Sequence, residues 1–289
     1  MSKPVIFGCA GKTLSKEERE FFTKHQPYGF ILFARNIETP EQVKALVNEL
    51  RSTVKHHAPI LIDQEGGRVC RLKPPHWPHP PACGAFESAE EPEQAAYNSG
   101  KDIAMELSAL GIDVDCAPMI DVRQKDAHDI VGDRAFSDNP EKVIKLGRAF
   151  MKGLQDGGVE PIIKHIPGHG RAKSDSHLEL PVVDASLEEL RKTDFAPFKA
   201  LNEAPYAMTA HIIYKAIDPE NCATQSKKVI DIIRNEIGFK GQLMTDDLSM
   251  KALTGTFKER TKRSLAAGCD LILHCNGEMK EMLEIASAL

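Results

Sequence analysis

The chain has 289 residues, of which 42% are hydrophobic and 27% charged. This ordinary globular balance excludes wholesale disorder, and the length lets the chain bury most of its surface without a disulfide or metal staple. A formal net charge of −5 argues against a generic electrostatic grip on nucleic acid or an anionic membrane and leaves room for a local basic pocket.

Strands and helices are predicted to alternate along the whole chain. Apolar runs of strand length lie near 4–9, 28–34, 59–63, 113–117, 159–164, 206–210, 241–245 and 269–274. Helix-like stretches follow them, near 15–26, 40–54, 92–110, 140–156, 186–201, 226–237, 256–267 and 277–289. Ser15 with Glu18, and Ser186 with Glu189, have the spacing of capping boxes. Thr39 suits an N-cap with Pro40 at the first helical position. Gly111, Gly157 and Gly268 suit the left-handed residue that ends a helix. The strand runs are continuously apolar, as in Tyr28-Gly-Phe-Ile-Leu-Phe33, which marks strands buried on both faces of a parallel sheet. Eight such units predict an α/β fold, a (β/α)8 TIM-type barrel formed as a single domain over residues 1–289. An open doubly wound sheet is the alternative. The Pro-rich stretch 74–81 reads as a stiff loop, with Trp77 filling a gap beneath it.

The seven cysteines are odd in number and form no CxxC pair. Cys9, Cys116 and Cys269 fall in strand-like runs, where a reduced thiol behaves as a small hydrophobe. A reducing compartment fits. The N-terminus lacks the apolar core of a signal peptide, and no apolar run is long enough to span a bilayer. A soluble cytoplasmic protein is therefore expected; a monomer with no cofactor and no metal is the accompanying expectation.

Chemistry on such a barrel gathers where strands end at their C-terminal side, and those ends are polar here. Strand three ends in Asp63-Gln-Glu-Gly-Gly-Arg-Val-Cys-Arg71, strand five in Lys164-His-Ile-Pro-Gly-His-Gly170, strand six in Thr209-Ala-His211 and strand seven in Met244-Thr-Asp-Asp247. Pro167 and the glycines oppose a helix, so His165 and His169 are not the i, i+4 pair of a zinc helix. Asp175 and His177 lie two residues apart on a long loop, close enough in a turn for the carboxylate to orient the imidazole. A surface turn with an incidental ion pair is the bland alternative. Asp246 and Asp247 are adjacent on an extended strand, so at most one is expected to face the mouth.

These motifs, together with Gly132-Asp-Arg-Ala-Phe-Ser137, resemble glycoside hydrolase family 3. More narrowly they resemble its bacterial β-N-acetylglucosaminidases of peptidoglycan recycling, from about residue 5 to the end. The Lys-His-x-Pro-Gly-His-Gly loop followed by Asp-Ser-His carries that narrower likeness. The resemblance implies that Asp246 is the nucleophile, that His177 is the proton donor and acceptor, and that Asp175 is its partner. It implies that Asp63, Arg71, Arg134, Lys164 and His165 bind the sugar hydroxyls. The implied reaction is retaining exo-hydrolysis of terminal N-acetylglucosamine β-1,4-linked to 1,6-anhydro-N-acetylmuramic acid, with or without peptide. Phosphorolysis on the same site is the close alternative, because a neutral His base does not repel phosphate. A metal-dependent barrel hydrolase is a weaker one, since the HxH pair expected after strand one is absent. A sugar-binding protein without turnover would lack the nucleophile or the acid, and both are present. His211, Gln64 and Asp247 carry no assigned role.

Overall fold

The computed structural model describes residues 2–125, 128–172, 174 and 179–289. Its strands are β1 Lys3–Gly8, β2 Pro27–Leu32, β3 Ile60–Ile62, β4 Val114–Asp115, β5 Glu160–Ile166, β6 Val182–Val183, β7 Tyr206–Thr209, β8 Ile213–Tyr214, β9 Gln242–Asp247 and β10 Leu271–His274. Eight of them close a parallel barrel in the order β1-β10-β9-β7-β5-β4-β3-β2, and β6 pairs with β8 outside it. The closed barrel, not the open sheet, is the architecture.

The unbroken apolar runs have a simple cause. Along β1, Ile6 points into the barrel while Val5 and Phe7 point to the helices, and all three are fully buried. The same alternation places Ile31, Leu61, Val114, Ile162, Met208 and Met244 inside the barrel. Leu32, Ile60, Ile62, Ile163, Leu243 and Ile272 pack outward under the helices. With both faces covered, no position in a strand favours a polar residue until the strand ends.

The helices are α1 Lys16–His25, α2 Pro40–Ser52, α3 Pro92–Leu110, α4 Pro140–Asp156, α5 Leu187–Lys192, α6 Phe195–Ala200, α7 Lys227–Ile232, α8 Phe257–Ala267 and α9 Met279–Ala286. Both expected capping boxes form, and Thr39 caps α2 with Pro40 in its first turn. Gly111 and Gly268 end α3 and α8 with φ of 78° and 116°. Gly157 does not take the left-handed role; its φ is −87°, and Gly158 adopts φ 88° instead. The helix expected over 186–201 is two helices. Pro197 has no N–H to give the carbonyl of Thr193, and its ring would strike that carbonyl in a continuous helix, so the chain breaks between α5 and α6. The stretch 226–237 begins as α7 and widens into a π-helical turn over Ile233–Ile237. Trp77 is buried in the core beneath its loop, as expected.

Candidate active site

A cavity of about 300 Å³ opens where the barrel strands end. Its polar lining comes from four strand ends. Asp63 and Arg71 follow β3, Arg134 lies in the connection after β4, Lys164 and His165 are on β5 with His169 just beyond, and Asp246 and Asp247 end β9. The apolar lining includes Ile31, Phe33, Met208, Met250, Leu273 and Cys275. A wider groove on the outer surface, between the starts of α3 and α4, carries none of the strand-end motifs.

One wall is a buried ion cluster. Lys164 Nζ donates to Asp63 Oδ1 at 2.5 Å and lies 2.7 Å from Glu65 Oε1. Arg134 grips Glu65 with two parallel bonds, Nε to Oε2 at 2.8 Å and Nη2 to Oε1 at 2.7 Å. Arg71 Nη2 donates to Asp63 Oδ2 at 3.0 Å. The Arg71 guanidinium also lies over the Phe33 ring, 5.2 Å from its centroid. Burial would push the Glu65 carboxyl up, but Arg134 and Lys164 hold it far below the usual range. Burial would likewise favour neutral Lys164, yet Asp63 and Glu65 keep it charged. Three cations thus share two carboxylates, and the surplus positive charge belongs to the cavity that Asp246 also lines.

The loops are built to present these groups. Gln64 is buried, and its Oε1 accepts the N–H groups of Arg71 at 2.7 Å and Leu72 at 3.0 Å, which folds the segment after β3 back over the barrel. A short turn over Gly132–Arg134 delivers Arg134. Lys164 and His165, though adjacent, both line the cavity, where the pairing of β5 with β7 shifts register between Lys164 and Ile166. Beyond them Gly170 passes against the carbonyl of Val122 so closely that a Cβ would sit 1.8 Å from the oxygen. Gly168 has φ 138° and its own close neighbour in Asp194. No side chain fits at either position without moving the loop.

The Asp246-Asp247 pair divides its work. Asp247 is tied down, accepting from Ser249 N at 3.0 Å, Ser249 Oγ at 2.5 Å and Cys275 N at 3.1 Å. Asp246 Oδ1 accepts the Asp247 N–H at 2.8 Å. Both contribute to the lining, so the strict alternation expected of the strand is relaxed at its last residue. His211 is fully buried, and burial lowers its pKa. Its neutral ring donates Nε2–H to the Asp247 carbonyl at 3.1 Å and meets Thr224 Oγ1 through Nδ1 at 2.7 Å. It supports the end of β9 from behind.

The structure therefore brings Asp63, Arg71, Arg134, Lys164, His165 and Asp246 around one cavity. Asp175 and His177 lie outside the described residues. Sequence reasoning missed Glu65, Asp121 and His169 as parts of the site. Glu65 stood inside the quoted segment after strand three, two residues from Asp63. Asp121 could have been found as the first carboxylate after the apolar run Ala117-Pro-Met-Ile120, at the end of an extended β4.

Residues 5–289 match the family described as glycosyl hydrolase family 3 N terminal domain. The chain belongs to glycosyl hydrolase family 3. It is a glycosidase of that family's β-hexosaminidase branch. The beta-hexosaminidase of Alkalilimnicola ehrlichii is 37% identical over 282 residues, covering 94% of this chain and 80% of that one. The beta-hexosaminidase of Haemophilus influenzae is 38% identical, with 94% and 79% covered. Native NagZ from Neisseria gonorrhoeae has a similar crystal structure, with a TM-score of 0.91 and 35% identity over 99% of this chain and 88% of that one. The same protein in complex with N-trifluoroacetyl-D-glucosamine gives a TM-score of 0.90 at 34% identity, with the same shares covered.

Proposed function

We propose that the enzyme is a retaining exo-β-N-acetylglucosaminidase acting on cytoplasmic peptidoglycan fragments. Its substrates would be N-acetylglucosamine β-1,4-linked to 1,6-anhydro-N-acetylmuramic acid, with or without peptide. The observation that carries this reading is the convergence of Asp246 and the buried cluster of Asp63, Arg71, Arg134 and Lys164 on one cavity. A cavity of about 300 Å³ lies at the small end of ligand sites and suits a single terminal sugar better than a run of them. That size supports exo-action. The relative solved with a glucosamine derivative supports the choice of amino sugar.

In this reading Asp63, Arg71, Arg134, Lys164 and His165 hold the sugar hydroxyls. Asp246 attacks the anomeric carbon and forms a glycosyl ester. His177, oriented by Asp175, gives a proton to the leaving oxygen and then takes one from the attacking water. Retaining enzymes generally use two carboxyls roughly 5–5.5 Å apart. An imidazole in place of the second carboxyl has an ordinary pKa of about 6.5, which suits both half-reactions near neutral pH.

The test uses 4-nitrophenyl N-acetyl-β-D-glucosaminide, the plain β-glucoside and a disaccharide substrate, with wild type and His177→Ala. Turnover selective for the N-acetyl sugar is expected. The variant should lose most activity on the disaccharide, whose leaving group needs a proton, and keep more on the nitrophenyl substrate. Equal rates on the two N-acetyl substrates relative to wild type would remove His177 from the acid role. Addition of phosphate separates hydrolysis from phosphorolysis, because the latter yields N-acetylglucosamine 1-phosphate.

A further inference from the structure

Behind the cavity, Asp121 is fully buried and surrounded by donors from a single stretch of chain. Its Oδ2 accepts from His165 Nδ1 at 2.8 Å and from the His165 N–H at 3.2 Å. Its Oδ1 accepts the His169 N–H at 2.5 Å and is 3.3 Å from the His165 N–H. Burial alone would raise its pKa, but His165 and these bonds bring it below the usual value. An ionised carboxylate only accepts, so His165 Nδ1 must carry the hydrogen. His165 lines the cavity, and with Nδ1 occupied its Nε2 is the nitrogen left for a ligand. On a neutral ring that Nε2 is an acceptor.

The placement of Asp121 is itself built in. The chain after β4 continues alongside β5, with the Ile120 N–H on the Lys164 carbonyl at 2.9 Å and the Lys164 N–H on the Pro118 carbonyl at 3.3 Å. This ladder sets Asp121 opposite His165. The neighbouring His169 ring packs edge-on against His165, with centroids 5.3 Å apart, so the His165 ring is confined on a second side. His169 is buried, and burial together with His165 pushes its pKa down to about 4. It adds no charge there at neutral pH.

We propose that Asp121 is a positioning residue, which fixes the ring orientation of His165 and keeps a hydrogen on its Nδ1, so that Nε2 is the nitrogen presented to a hydroxyl of the bound sugar. This rests on the glycosidase reading for the identity of the ligand but not for the tautomer. An Asn at 121 has one accepting oxygen and one amide donor. It cannot satisfy His165 Nδ1–H and both backbone N–H groups together, and an amide turned to the ring would reverse the tautomer.

The experiment has two parts. In the wild-type enzyme with 15N-labelled histidine, the His165 signals are assigned by their absence in His165→Gln. Recorded at a pH of about 9, where an ordinary imidazole is neutral, they are expected to show a protonated Nδ1 and an unprotonated Nε2; the opposite tautomer overturns the proposal, and this part needs no Asp121 variant to fold. The second part is a cycle of Asp121→Asn, His165→Gln and the double variant on 4-nitrophenyl N-acetyl-β-D-glucosaminide. Asp121→Asn should raise KM at least about tenfold, with a smaller change in kcat. The double variant should be no worse than His165→Gln alone within about twofold, because a residue acting through another has nothing left to act on. Losses that multiply would show that Asp121 serves the fold alone and overturn the proposal. A wild type without turnover would count against the glycosidase reading, and the tautomer would still decide the inference.

Discussion

Replacing Asp246 with Asn is expected to cut turnover of 4-nitrophenyl N-acetyl-β-D-glucosaminide by at least about 10⁴-fold, equivalent to roughly 5.4 kcal/mol of lost transition-state stabilisation. The amide has no charge to give the anomeric carbon and cannot form the ester on which the proposed two-step route depends. The fold should not change. Asn at 246 keeps a carbonyl oxygen for the Asp247 N–H, now held at 2.8 Å. Asp247 keeps its bonds to Ser249 and Cys275. Thermal unfolding within a few degrees of wild type, beside the collapse of rate, would place the loss in the chemistry. A rate within tenfold of wild type would move the nucleophile elsewhere. Asp247→Asn should behave differently, because its oxygens are committed to backbone and hydroxyl donors.

The second large effect is on stability. Glu65 is 1% exposed and is shared by Arg134 and Lys164, so Glu65→Gln leaves two buried cations with one carboxylate fewer. Breaking a buried pair from one side costs about 3–5 kcal/mol. For a domain of this size that is roughly 5–8 °C in Tm. By contrast, Glu203→Gln removes a partner from Arg148 in a pair whose side chains are 48% and 49% exposed, and should cost under about 1 kcal/mol. The sign of the pH effect follows from the direction of the Glu65 shift. Its folded pKa lies below the ordinary 4.5, so its contribution is complete above that pH and is lost as pH falls below it. The stability gap between wild type and Glu65→Gln should be constant near neutrality and narrow on acidification below about 4.5. Urea unfolding at several pH values checks this; a gap that widens in acid contradicts it. Substrate affinity should fall with stability, since Glu65 holds both Arg134 and Lys164 in place.

The fold was legible because barrel strands bury both faces. A run such as Tyr28 to Phe33 reads as a strand buried on both faces, and eight of its kind alternating with capped helices favour the barrel over the open sheet. The site was legible because the polar residues begin where those runs stop, and that rule found Asp63, Lys164, His165 and Asp246. It failed for groups whose partners lie far along the chain. Glu65 looks like a loop acid until Arg134, 69 positions away, is seen to bind it. Asp121 is meaningless without His165, 44 positions on. The choice between Asp246 and Asp247 depends on Ser249 and Cys275, which no strand periodicity reports. Local chemistry could have caught the break at Pro197, because its clash with the carbonyl four residues earlier is a property of sequence.

The proposed covalent glycosyl ester on Asp246 can be trapped. The enzyme would be incubated with a fluorinated N-acetylglucosaminyl donor that forms the ester quickly and hydrolyses slowly, then digested and its peptides weighed. One added sugar on the peptide carrying Met244 to Met250, mapped to Asp246 and absent in Asp246→Asn, is the predicted result. Sugar on another residue would contradict the account, as would inactivation by the donor with no labelled peptide.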